Sequence, residues 1–204
     1  GYFIWLGNVV EYKDYGTPSG EYSLHITNMV MSLLDKRMQK LATQQTNSLN
    51  GLSSGLYDGH GRYGDVGLGL YAKEKDLEPG FKLMASVMTD AKANGFSQVE
   101  LDNIRDQFLV SERVQLDSAT HLSNLATYHV VEGDWLRDQS HYLALLENKL
   151  PKLTLTEVNA HASSLFKTPH KIEIISQPDM FVPDEAQVRS WIVTGKQQDA
   201  APLK

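Results

Sequence analysis

The five residues His129-Val-Val-Glu-Gly133 come within one side chain of a zinc-binding helix. In a His-x-x-Glu-His pentapeptide, two histidines four residues apart share one helical face and hold zinc, and the glutamate polarises a metal-bound water. Here the second histidine is replaced by Gly133, which has no side chain to ligate with. His121 lies two turns back, about 12 Å along a helix axis, too far to share one ion with His129. None of the seven histidines falls in a His-x-x-Glu-His frame, and no two are four residues apart. His129 and Glu132 are therefore read as closing a helix that the glycine ends, and no metal ligand is assigned.

Two further patterns touch on chemistry. "GLSSG", Gly51 to Gly55, has the form of a nucleophile elbow around Ser53. That motif needs a strand-to-helix turn, whereas the residues after it read as strand, so Ser53 is expected to be inert. Asp58, His60 and Asp65 crowd a turn signal, "DGHG", and turn chemistry accounts for them without a metal. "GDVGLG" has its glycines in the wrong order for a dinucleotide loop. The expectation is a chain with no catalytic, cofactor-binding or metal-ligating residue of its own.

Composition narrows the classes further. Lys+Arg number 19 against 25 Asp+Glu in 204 residues, and no basic run is present to neutralise a phosphate backbone. Nucleic acid is not expected as a partner. The absence of cysteine removes disulfides and thiol chemistry but does not fix the compartment. The longest apolar stretch, "YFIWL", falls far short of the roughly 20 residues of a membrane helix. "GYFIWLG" also lacks the charged region and cleavage site of a signal peptide.

The elements that must position any site follow from periodicity. The first 13 residues read as a strand. A long helix then opens with Thr17 as N-cap and Pro18 at its first position. Leu24, Thr27, Met31, Leu34, Met38 and Leu41 follow at 3-4 spacing, a face expected to be core and not a ligand groove. A hairpin is expected at about Leu52–Tyr57 and Asp65–Lys73. The next helix places Phe81, Met84, Val87, Met88 and Ala91 inward and ends before Gly95. Ser97 with Glu100 opens another through a capping box, with Leu101, Ile104 and Phe108 inward. Helical stretches follow at Ser118–Glu132 and Ser140–Asn148, and Thr154 with Glu157 opens one more. "HKIEIIS" is a strand and "PDEAQVRSWI" a closing helix. Residues 1–194 are expected to form one α+β domain, an antiparallel-rich sheet covered by helices, and 195–204 a flexible tail.

The run from Gly64 to Leu109, with "GFSQVELDNIRDQFL" at its end, resembles the insulinase or pitrilysin family of zinc metallopeptidases. Upstream, Val9 to Ala42 is similar to the strand and long helix that begin the family's domain. Downstream, Leu153 to Pro178 and Val182 to Ile192 are similar to its end. The resemblance covers about residues 8 to 193.

That resemblance implies a metallopeptidase-homology domain, one of several repeated α+β domains enclosing a chamber. Only one of the repeats carries zinc, in a His-x-x-Glu-His helix near its start. Here that pentapeptide is missing, and "HVVEG" falls too late in the chain to be its remnant. The similarity is to an inactive domain, most like the second domain of bacterial pitrilysin-like proteins. The implied role is non-catalytic: chamber wall and interdomain surface, with zinc in a neighbouring domain of the parent chain. A non-proteolytic assembly module of the same fold, like the core proteins of respiratory complexes, is the alternative. The family also has an arginine followed seven residues later by a substrate-contacting tyrosine. No arginine here fits that spacing, which favours a scaffold over peptide contact. Bacterial periplasm or cell envelope is the compartment the resemblance favours, with cytoplasm the other.

Overall fold

A computed structural model describes residues 1–11, 17–44, 50–59, 63–116, 118–132, 139–167 and 170–197. Strands β1 (Tyr2–Glu11), β2 (Asn50–Gly59), β3 (Tyr63–Ala72) and β4 (His170–Ile175) form an antiparallel sheet in the order β2-β3-β1-β4. The hairpin strands are longer than the sequence suggests, reaching Gly59 and starting at Tyr63. The sheet's inner face comes from alternate residues: Tyr2, Ile4 and Leu6 of β1 stand opposite Ala72, Leu70 and Leu68 of β3, and all are buried.

Helix α1 (Pro18–Gln44) packs over this face. Its start is fixed locally, because Thr17 Oγ1 accepts from the Gly20 amide at 3.2 Å. Of the expected stripe, Thr27, Met31, Leu34 and Met38 are buried, and Leu24 and Leu41 at its ends are half-buried. Helix α2 (Leu77–Asn94) buries the five expected residues from Phe81 to Ala91 and stops at Gly95, whose φ of 68° suits glycine. Helix α3 (Gln98–Leu116) begins in the expected capping box: the Glu100 amide donates to Ser97 Oγ, and the Ser97 amide to Glu100 Oε2 at 2.7 Å. Helices α4 (Ala119–Glu132) and α5 (Gln139–Lys149) follow, and α6 (Leu155–Leu165) starts in the Thr154–Glu157 box.

Several polar side chains inside this layer pair across elements. Arg37 on α1 is buried; it donates to Glu100 at 2.7 and 2.9 Å, to Asp90 at 2.6 Å and to the Gly95 carbonyl at 2.7 Å. Its guanidinium also lies 4.5 Å from the Phe96 ring centre. His25 contacts the Tyr142 hydroxyl, which donates to Glu112 at 3.2 Å. Thr27 Oγ1 and His161 Nε2 are 2.8 Å apart and join α1 to α6.

The closing helix α7 (Glu185–Gln197) runs past the expected end of the domain at residue 194. Trp191 stacks on Phe81 with ring centres 6.4 Å apart, and Gly195 is buried where α7 meets the backbone of Lys82. The first three residues assigned to a flexible tail are thus helix held on α2, and residues 198–204 lie outside the described ones. Among the described residues, no helix is long and apolar enough to cross a membrane.

Candidate functional site on the open face of the sheet

The residues that the sequence offered for chemistry are not brought together. His129 and Glu132 lie in the last turn of α4, but their side chains and the whole of Gly133 fall outside the described residues. Ser53 sits within β2, opposite Gly69, with strand on both sides of it, so the strand-to-helix turn of a nucleophile elbow is missing. His60 lies outside the described residues. Asp65 is in β3, where its carboxylate pairs with Lys171 of β4. Among the described residues, no three His, Asp or Glu side chains are placed to hold a metal ion.

What the fold does assemble is a surface. Helices α1 and α2 pack on the face bearing Ile4 and Leu68, and the register puts the intervening residues on the other face. There Phe3 stands opposite Tyr71 and Ile175, and Trp5, Val9, Tyr63 and Glu173 share the face along the strands. Tyr71, Ile175, Tyr63 and Val9 are all exposed, and Phe3 meets Tyr71 at 5.3 Å between ring centres.

Trp5 differs from these neighbours: it lies on the same face yet is 1% exposed. Its indole lies over two glycines. A Cβ at Gly7 would be 2.6 Å from Trp5 Nε1, and one at Gly69 would be 3.0 Å from Trp5 Cε3. Along the sequence, "GDVGLG" is no more than a glycine run in the wrong order for a nucleotide loop. Gly69 of that motif forms part of the floor under a tryptophan on another strand, and only the cross-strand register reveals it.

Charge on this face is concentrated along β4. The Lys171 ammonium contacts Asp65 and lies 2.8 Å from Glu173. Its hydrogen bonds to Asp65 and then Glu173 raise its pKa above the ordinary value, so it stays cationic. The face is therefore mixed: aromatic and aliphatic groups beside a compact ion cluster, with no nucleophile–base pair among its described side chains.

A concavity of about 580 Å³ opens between α1 and α3. Met31, Ile104 and Phe108 line it together with Ser32, Gln107 and Ser111, and Lys36 donates to Gln107 at 2.5 Å. Met31 thus belongs to the core and also borders a cleft, a modification of the purely internal role expected for its stripe.

Compared by sequence, the chain matches no protein-family model and no curated protein. Compared by structure, it superposes on a predicted insulinase family protease from Yersinia pestis with TM-score 0.78 at 13% identity, over 96% of this chain and 43% of that one. The periplasmic protease PqqL from Escherichia coli gives TM-score 0.79 at 12% identity, over 98% of this chain and 23% of that one. A peptidase M16 inactive domain from Pseudomonas fluorescens gives 0.59 at 16% identity, over 85% and 40%. The chain spans less than half the length of each of these proteins. Its α+β fold is that of the insulinase-family (M16) peptidase domains, inactive ones included.

Proposed function

We propose that this chain is a non-catalytic domain of a zinc metallopeptidase, forming chamber wall and interdomain surface while a neighbouring domain carries the zinc and the general base. One observation carries the reading: a complete M16-type fold without a His-x-x-Glu-His frame anywhere in the sequence. Support also comes from the solved neighbours, in which this fold fills 23–43% of a longer protease chain. The open sheet face suits a wall, because its aromatic and ionic groups offer contact without chemistry. A periplasmic or cell-envelope setting goes with the reading, since one neighbour is a periplasmic protease.

The test is the full-length protein, assayed for zinc by elemental analysis and for peptide cleavage. The expected result is one zinc per chain, lost with activity when a histidine of a neighbouring His-x-x-Glu-His motif is replaced. A full-length chain with no such motif and no zinc would leave the fold in the alternative role, a non-proteolytic assembly module.

A further inference from the structure

We infer that Asn94–Gly95, at the joint between α2 and α3, is a deamidation site held closed by Arg37, and that its conversion loosens that joint. An asparagine followed by glycine is the least hindered pair for this reaction, since no side chain shields the glycine nitrogen. The fold itself demands the glycine. Gly95 stops α2 with φ 68°, and a Cβ on it would lie 2.6 Å from Asn159 Cγ. Asn94 is exposed, so water reaches it.

The chemistry needs only water. The Gly95 nitrogen loses its proton and bonds to Asn94 Cγ, the Cγ–Nδ2 bond breaks, and ammonia leaves with that proton. A five-membered imide remains. Water then breaks one of the two ring bonds to the nitrogen. Breaking the bond to Cγ gives aspartate. Breaking the bond to the Asn94 backbone carbonyl carbon gives isoaspartate, with a main chain one methylene longer.

The native geometry opposes the first step. Asn94 is the last residue of α2, and helical side chains point back toward the N-terminus. Its Nδ2 accordingly donates to Asp90 Oδ1 at 2.7 Å, one turn behind, which holds Cγ away from the nitrogen ahead of it. The Gly95 amide proton is committed to the Ala91 carbonyl at 3.1 Å. Arg37 secures both sides, donating to Asp90 Oδ2 at 2.6 Å and to the Gly95 carbonyl at 2.7 Å. Reaction therefore waits on a local opening of the end of α2, and Arg37 sets how often that happens.

Once made, the product favours the open state. Aspartate at 94 has no amide to donate to Asp90 and sets a like charge four residues from it. That charge sits at a helix C-terminus, where anions are least favoured. In isoaspartate the added methylene displaces the Gly95 carbonyl from Arg37. Conversion thus leaves a permanent mark of each opening.

The test follows the tryptic peptide Ala93–Arg105 by mass spectrometry after the full-length protein has stood in warm, mildly alkaline buffer, with and without urea. Asn103, which precedes Ile104 in the same peptide, is the slow internal reference. Asn94 is expected to convert at least about tenfold more slowly in the native protein than in urea. Arg37→Lys, which cannot reach all of these acceptors, should raise the native rate several-fold, and Arg113→Lys should not. Where Arg37→Lys does not fold, Asp90→Asn takes its place with the same expectation. Equal native and urea rates, or a native rate that the Arg37 or Asp90 variant leaves unchanged, overturns the gating. Asn94→Asp, which carries the product's charge, should speed amide hydrogen exchange from Gly95 to Glu100 several-fold. Unchanged exchange there would overturn the loosening.

Discussion

Arg37 Nη1 lies 2.6 Å from Asp90 Oδ2, with the two side chains only 8% and 10% exposed. The same guanidinium holds Glu100 and the Gly95 carbonyl, so one cation ties α1 to the end of α2 and the start of α3. Replacing it with methionine keeps the volume but leaves the buried Asp90 carboxylate without its cation and Glu100 with only its Ser97 donors. Arg37→Met is expected to cost about 3–5 kcal/mol, read by urea denaturation. A change within half a kilocalorie would mean that water reaches the carboxylates and the pair does not hold the layer together.

How legible this was depended on range. The caps at Thr17, Ser97 and Thr154 are local patterns four residues long, and each forms as the sequence suggests. The inward faces of α1 and α2 are equally local. Arg37 carries no such local signal, because its partners are 53 and 63 residues away. Trp5 over Gly69 is invisible for the same reason. Gly195 is a helix stop on local grounds, yet α7 passes through it because only a residue without Cβ fits against Lys82.

The register of β1 and β3 makes a second prediction. Gly7 and Gly67 face each other, and a Cβ on Gly67 would lie 2.4 Å from the Leu6 carbonyl oxygen and 2.5 Å from Gly7 Cα. Both obstacles are backbone, so no rotamer relieves them. Gly67→Ala should lose about 1–3 kcal/mol. Gly1→Ala is the control: its new Cβ would meet only the Ala72 oxygen at an ordinary 3.7 Å, so its stability should stay within about 0.5 kcal/mol. Equal effects would show that the strands separate to make room.

Acid should loosen the layer in two stages. Burial of His161 lowers its pKa below the ordinary 6.5 and keeps the ring neutral beside Thr27. Between 6.5 and that lower value the unfolded chain binds a proton that the fold refuses. Stability is therefore complete above 6.5 and falls as pH drops through the folded value. Burial would raise the Glu100 pKa, but hydrogen bonds from Arg37 and Ser97 outweigh it and hold it below the ordinary 4.5. Its contribution is present above 4.5 and is lost on further acidification. Urea midpoints measured from pH 8 to 3 should decline in both windows, and His161→Gln should flatten the upper one alone. An unchanged slope in that variant would assign the upper window to another group.

The last prediction returns to "HVVEG". Zinc catalysis by this chemistry needs three protein ligands, an open position for water and a glutamate beside it. At the end of α4 the position four residues after His129 is a glycine, and His121 lies about two turns away along the same helix. One ion at roughly 2.1 Å from each nitrogen cannot span that gap. Glu132 then has no activated water to deprotonate. This chain, expressed alone and dialysed, should retain no stoichiometric zinc and cleave no peptide with zinc added. His129→Ala should leave both results unchanged. Elemental analysis beside a cleavage assay decides it: one zinc per chain, with chelator-sensitive cleavage abolished by His129→Ala, would make the pentapeptide a working site after all.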